Sequence, residues 1–227
     1  MHPCRSDLAY PSLVIDGSGS SFFAGVLERQ GKWMARITAD TAPLESLFPT
    51  VEKVLLDSGL SLDELRSYIY CAGPGSVLGL RLCAMALETW SRLNPAPTAY
   101  YGYNSLELTA AKLVHDGQVT GDALLISDWK KEAWNGVRIS EGRPAKVAPI
   151  QTEEIESWQG ALFHLPARKG WQKAPEGAQP VDYRPEELHL FLGHEGLLNK
   201  STEIELYSAG ANTFQKWTPD RHRATKP

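Results

Sequence analysis

Tyr68-Ile69-Tyr70-Cys71-Ala72-Gly73-Pro74-Gly75-Ser76, running on into the apolar segment Leu78 to Leu93, is the stretch on which the fold turns. The aromatic and small apolar run before Gly73 predicts a strand, Gly-Pro-Gly a tight turn, and the long apolar segment a helix. Glycine reaches the positive φ that such a turn can demand. A helix opening directly behind the turn leaves backbone N–H groups unpaired and pointing into it, which suits an anion, a docked partner or a purely structural bend. The Gly73, Gly75 and Gly79 spacing is not the dinucleotide-binding fingerprint, and no Gly-Lys-Ser/Thr ending marks a nucleoside-triphosphate loop.

Upstream, Ser12 to Asp16, Phe22 to Leu27 and Lys32 to Thr38 predict a three-stranded antiparallel meander whose first bend is Asp16-Gly17-Ser18-Gly19-Ser20. Leu44, Leu47, Phe48, Val51, Val54 and Leu55 recur at helical spacing and predict an amphipathic helix, Pro43 to Asp57, ending near Gly59. Ser61-Leu62-Asp63-Glu64 has the capping-box pattern of a short helix. On the long helix, Leu80, Leu82, Cys83, Ala84, Ala86, Leu87 and Trp90 surround most of the circumference, and Arg81, Glu88 and Arg92 form the polar stripe. A helix with so little polar surface is covered on more than one side, by its own core or by another chain.

Asn94-Pro95-Ala96-Pro97 terminates that helix, and Thr98 to Tyr101 predicts a strand leading to a helix, Ser105 to His115, capped by Asn104. Ala123 to Asp128 and Glu132 to Ile139 open a second meander. A short helix at Glu153 to Trp158, a strand at Ala161 to Leu165 and a loop from Pro166 to Pro185 follow. A helix from Pro185 through about Leu198 and a last strand at Glu203 to Tyr207 complete the pattern. The composition shifts near residue 100, so the expected units are 1–100, with the Gly-Pro-Gly-Ser loop, and a smaller one, 101–227.

The 227 residues are 42% hydrophobic and 22% charged, which predicts a globular protein with one large or two modest cores. A net charge of −4 excludes a general attraction for polyanions. The cluster Lys216, Arg221, His222, Arg223 and Lys226 remains either a local basic patch or a solvated tail. Cys4, Cys71 and Cys83 are widely spaced and odd in number, the pattern of reduced thiols. Together with the lack of a signal-length apolar stretch near Met1 or a run of roughly 20 apolar residues, this predicts a cytoplasmic, non-membrane protein.

Chemistry is sparse. His189 and His194 would stand about 140° apart on a helix, so they do not make a metal-binding pair, and Gly193-His194-Glu195-Gly196 is an incomplete site; no metal is expected. Asp16 to Ser20 has the small residues of a first phosphate loop. Ser208-Ala209-Gly210-Ala211-Asn212 is the one small-residue loop after a predicted strand in the later half, so a second phosphate loop is not visible. Ser76 has no neighbouring His or acid in sequence, and Cys71 and Cys83 lie in apolar runs that make poor nucleophiles. Trp129, Trp134 and Trp158 lack the interleaved Lys and Arg of a base-stacking surface and read as core.

In order and spacing, these segments resemble the TsaB (YeaZ-like) family. Gly73 to Arg81 stands where its members carry Gly-Pro-Gly-Ser-Phe-Thr-Gly-Leu-Arg. Asp16-Gly17-Ser18-Gly19 stands for Asp-Thr-Ser-Thr, and Gly102-Tyr103-Asn104-Ser105-Leu106 for the Val-Ser-Ser-Leu helix start. The match is good over the first 130 residues. Beyond them Asp128-Trp129-Lys130-Lys131-Glu132 keeps the family's Asp and a cation but loses its glycine, and the helix at Pro43 lacks the family's His.

The resemblance implies an α/β fold of the actin-like (ASKHA, ribonuclease H-like) kind, two lobes with mixed sheets flanked by helices. It implies a non-catalytic accessory role, supporting a TsaD-like catalytic subunit, with a TsaE-like ATPase, in threonylcarbamoyladenosine modification of tRNA. The chain alone would form a homodimer, and tRNA contact would be indirect or weak. The partner surface would comprise Leu80, Cys83, Ala84, Leu87 and Trp90 with Leu44, Leu47 and Val51. No resident cofactor is expected; an adenine nucleotide at a partner interface would involve Asp16, Ser18, Gly73, Gly75 and Ser76. The rival is an active actin-like phosphotransferase or peptidase holding a nucleotide in the inter-lobe cleft through Asp16 and the Gly73 loop. A third reading is a binding module that has left tRNA modification altogether.

Overall fold

Five consecutive buried residues, Ser12–Asp16, form β1, the strand from which the first sheet is built in both directions. β1 pairs antiparallel with β2 (Phe22–Leu27), which pairs antiparallel with β3 (Trp33–Ala39). On its other edge it runs parallel to β4 (Ser67–Gly73), and β4 runs parallel to β5 (Ala99–Asn104). Strands covered on both faces read as continuous apolar runs, whereas the edge strand β3 alternates between half-buried and exposed positions. The expected meander is therefore present, and two parallel strands extend it. This computed structural model describes residues 7–29, 31–94, 99–166 and 173–209.

The crossovers are helical. α1 (Pro43–Ser58) begins with Pro at its first position and ends at Gly59, whose φ of 69° lets its N–H reach Leu55 and Leu56 carbonyls. α2 (Val77–Leu93) lies beside α1, and both cover one face of the first sheet through a core that includes Leu47, Val51, Val54, Tyr70, Cys83, Leu87 and Trp90. Asn104 caps α3 (Ser105–His115), its Oδ1 accepting from the N–H groups of Leu106 and Glu107 at 3.0 and 3.2 Å. α3 packs on both sides: Leu108 and Ala111 face the first sheet's second core, and Leu106, Ala110 and Leu113 face the second sheet.

That second sheet comprises β6 (Ala123–Lys130), β7 (Ala133–Ser140), β8 (Arg143–Pro144), β9 (Ala148–Gln151), β10 (Ala161–Leu165) and β11 (Gln179–Pro180). Its order is β11-β10-β6-β7-β8, with β9 also on β7, and α4 (Thr152–Glu156) covers its outer side. The chain then returns to the first layer through a 3-10 helix, Pro185–Phe191, and β12 (Asn199–Ser201), antiparallel to β5. The first sheet thus takes in β5 and β12, so the expected boundary at residue 100 runs through β5.

Two expectations at the C-terminal end are corrected. The helix from Pro185 stops at Phe191, because Gly193 and Gly196, the latter at φ 77°, break it into turns. Glu203 to Tyr207 is not a strand, since both edges of β4 are already paired with β1 and β5. The segment is held from the side instead. Glu205 N–H donates to the Tyr70 hydroxyl at 2.9 Å, and Tyr207 N–H takes the Ala72 carbonyl, skipped by the β4–β5 ladder, also at 2.9 Å.

Candidate functional site

β1 and β4 are parallel neighbours, so the loops that follow them, 16–20 and 73–76, come out side by side at one end of the sheet. They interlock. Ser76 N–H donates to the Ser18 carbonyl at 2.7 Å, and a Cβ on Gly75 would stand 2.5 Å from that same oxygen. A Cβ on Gly79 would stand 2.0 Å from the Gly17 carbonyl oxygen, and one on Gly17 would stand 2.9 Å from Cys83 Sγ. The Ser105 hydroxyl ties the turn to α3 through the Pro74 carbonyl at 2.7 Å, and Ser76 Oγ caps α2 by accepting from Gly79 N–H at 3.3 Å. Asp16, Ser18, Gly73, Gly75 and Ser76 thus lie on two adjoining loops, and the space that the glycines open is occupied by the chain's own atoms. Gly79→Ala is expected to destabilise the fold by about 1–3 kcal/mol in denaturant melts, the usual cost of overpacking, because the clash is with backbone.

Asp16 is 2% exposed and its carboxylate is fully engaged. Oδ1 accepts from Ser18 N–H at 2.8 Å and from the Ser18 hydroxyl at 2.6 Å. Oδ2 accepts from the Tyr103 hydroxyl at 2.5 Å and from the Tyr183 hydroxyl. Burial, and next the Asp16 charge, push both tyrosines well above the ordinary phenol range, so both stay protonated donors. The same two causes raise the Cys71 and Cys83 thiols, which removes the thiolate a nucleophile needs. A carboxylate that must hold magnesium needs an oxygen facing the ligand. Here both oxygens are spent on the chain's own donors. The tyrosines lie 87 and 167 residues from Asp16, and nothing in the local sequence announces them.

A cleft of about 1020 Å³ opens beside these loops, with Ser127, Asp128, Trp129 and Asn135 of the second sheet on its far wall. Among the described residues lining it are Asp16, Asp128 and Asp182 and neither Lys nor Arg, so they offer no cation to a polyphosphate. His164 Nε2 lies 3.3 Å from Asp128 Oδ1, and the Trp134 ring packs edge-on against His164 at 5.6 Å. Trp134 is core, as expected; Trp158 packs against the same cluster, and Trp129 carries Lys130 Nζ over its ring at 4.1 Å. Ser208 and Ala209 line the cleft, while Ala211, Asn212, Cys4, His2 and the basic cluster from Lys216 to Lys226 lie outside the described residues. His189 and His194 serve as packing rings, against Trp33 and Phe191 respectively. Among the described residues no three His, Cys, Asp or Glu side chains are grouped to hold a metal ion.

The expected partner surface needs correction residue by residue. Leu80, Cys83, Leu87, Trp90, Leu47 and Val51 are buried in the chain's own cores, Ala84 is half-buried, and Leu44 alone is open. Counting apolar positions around α2 does not reveal which of them the sheet consumes. The exposed apolar side chains of these helices are different ones: Leu44, Phe48 and Leu56 on α1, and Val77, Leu78, Met85 and Leu93 on α2, each at least 60% exposed. They are seven of the eight exposed large apolar side chains among the described residues. The i, i+4 run Leu44, Phe48, Glu52, Leu56 was the legible signal for the outer face of α1. Phe48 meets Trp90 edge-on at 6.1 Å, joining the two helices at their seam.

An actin-like α/β protein, with two mixed sheets flanked by helices, is what this architecture defines. More narrowly, the fold is that of YeaZ. YeaZ from Pseudomonas aeruginosa superposes with a TM-score of 0.52 over 68% of this chain and 74% of that one, at 16% identity. A second structure, described as an uncharacterized protein with similarity to peptidase YeaZ from Pseudomonas aeruginosa, matches equally. By sequence the chain is 28% identical over 179 residues to the uncharacterized protein Rv3421c of Mycobacterium tuberculosis, covering 73% of this chain and 81% of the relative. No family model matches the chain. No helix among the described residues is long and apolar enough to cross a membrane.

Proposed function

We propose that this chain is a TsaB-type accessory subunit that supports a TsaD-like catalytic subunit, together with a TsaE-like ATPase, in threonylcarbamoyladenosine modification of tRNA. The observation that carries this reading is the exposed apolar face of α1 and α2. Burying a Leu, Met, Val or Phe side chain completely is worth about 1.5–3 kcal/mol, and seven mostly exposed ones gathered on two adjacent helices make a surface whose stable state is covered. In the partner's absence two copies of the chain bury this face against each other as a homodimer.

The rest of the molecule supports a role without chemistry of its own. Asp16 has its oxygens occupied, the thiols are suppressed, and the described lining of the cleft lacks a cation for phosphate. An adenine nucleotide belongs, on this reading, at the joint with the partner. The net charge of −4 fits a protein that meets tRNA through its partner.

The test is the double variant Leu78→Asp with Met85→Asp, both positions being at least 60% exposed. Sedimentation is expected to shift from dimer to monomer with the melting temperature within a few degrees of the parent, and co-purification with the TsaD-like subunit is expected to be lost. An unchanged oligomer that still binds that subunit would sink the proposal.

A further inference from the structure

The chain crosses between its two sheets twice. α3 carries it out from β5 to β6, and residues 181–184 bring it back from β11 to the 3-10 helix. The return segment is anchored at both ends. Val181 N–H donates to the His164 carbonyl of the second sheet at 2.9 Å, and Trp33 Nε1 of the first sheet donates to the Glu186 carbonyl at 3.1 Å. Between these anchors stands Tyr183. Its ring packs against the core that includes Tyr103, Cys71 and Leu80, and its hydroxyl donates to Asp16 Oδ2 while lying 3.2 Å from the Tyr103 hydroxyl.

One side chain thus joins the crossing segment to the end of β1. Val181, Asp182, Tyr183 and Pro185 all line the cleft, so the segment that Tyr183 fastens is itself a wall of that cavity. The lining also includes Ser18, Gly75 and Ser76, held to one another by the Ser76 to Ser18 hydrogen bond. A hydroxyl on a buried carboxylate is a two-position contact: it is either made, or replaced by another donor that reaches the same oxygen.

We propose that Tyr183 is a latch that sets the opening of the cleft: its hydroxyl on Asp16 holds the return segment against the first loop, and breaking that contact releases residues 181–184 and bares the Asp16 carboxylate to the cavity. Tyr103, which donates to the same oxygen from β5, secures the carboxylate and touches the segment only through the 3.2 Å contact between the two hydroxyls.

Hydrogen exchange on the full chain separates these roles. In Tyr183→Phe, which keeps the ring and removes the hydroxyl, amides of residues 181–184 and 17–20 are expected to exchange at least tenfold faster, with β6 and β7 unchanged. In Tyr103→Phe only residues 17–20 are expected to speed up. Wild-type rates at 181–184 in Tyr183→Phe, or the same acceleration there in both variants, would overturn the latch. Should Tyr183→Phe fail to fold, the parent protein still decides. Its Tyr183 hydroxyl proton is expected as a separate, slowly exchanging NMR resonance, and a rapidly exchanging Tyr183 hydroxyl beside a protected Tyr103 overturns the proposal.

Discussion

Leu87→Asp is expected to leave no folded protein. Leu87 is fully buried on the face of α2 that meets the first sheet, in one core with Tyr70, Cys83 and Trp90. Losing the leucine costs about 2–5 kcal/mol in transfer and cavity terms. The new carboxylate either stays charged in an apolar core or takes up a proton, and both cost several kcal/mol more. Their sum reaches most of the roughly 5–15 kcal/mol that holds a domain together. Circular dichroism and soluble yield are the measurements, and Met85→Asp is the companion. Met85 is two residues earlier on the same helix but 65% exposed, so that variant is expected to melt like the parent. A folded, monomeric Leu87→Asp would mean that the inner face of α2 serves a partner after all.

The contrast between Leu87 and Met85 also marks how far the sequence could be read. Segments whose signals are local came through: β1 and β2 as apolar runs, α1 between Pro43 and Gly59, and α3 behind Asn104. Here turn chemistry, capping and period act within a few residues, and the chain has no competing choice. On α2 the polar stripe of Arg81, Glu88 and Arg92 lies opposite the side consumed by the sheet, with the exposed Leu78 and Met85 beside it, so the direction is legible on the wheel once the stripe rather than the count of apolar positions is followed. How closely that side packs rests on α1 lying alongside and on the close approach of Gly79 to Gly17, contacts between segments distant in sequence. The last strand was misplaced for a related reason. Glu203 to Tyr207 alternates like a strand, but a strand needs a free edge, and Asn199–Ser201 reaches one on β5 whereas Glu203 to Tyr207 meets β4 between two partners. The Gly-Pro-Gly-Ser loop was found from sequence and its neighbours were not. Its packing against Ser18 and the tyrosine pair on Asp16 are facts of tertiary structure alone.

Asp16→Ala is expected to cost about 3–5 kcal/mol of stability, read from denaturant midpoints, although it removes a buried charge. The carboxylate is the acceptor for the Ser18 N–H and the Ser18, Tyr103 and Tyr183 hydroxyls. Alanine leaves these donors without it in a site 2% exposed. The two phenols already lie 3.2 Å apart and can recover one bond between themselves, which limits the loss. Asp16→Asn separates charge from shape. Its carbonyl can still accept from Ser18, and its amide can donate to phenol oxygens whose own protons turn away, so about 1–2 kcal/mol is expected, the difference between charged and neutral hydrogen bonding. An enzyme that used Asp16 to hold magnesium would give the reverse ranking of consequences. Asn would then abolish nucleotide binding while leaving stability nearly untouched, because such a carboxylate is open to its ligand in the free protein. Paired melts and magnesium-nucleotide titrations of the parent, Asp16→Asn and Asp16→Ala therefore decide whether this residue is a fastening of the fold or a site of chemistry.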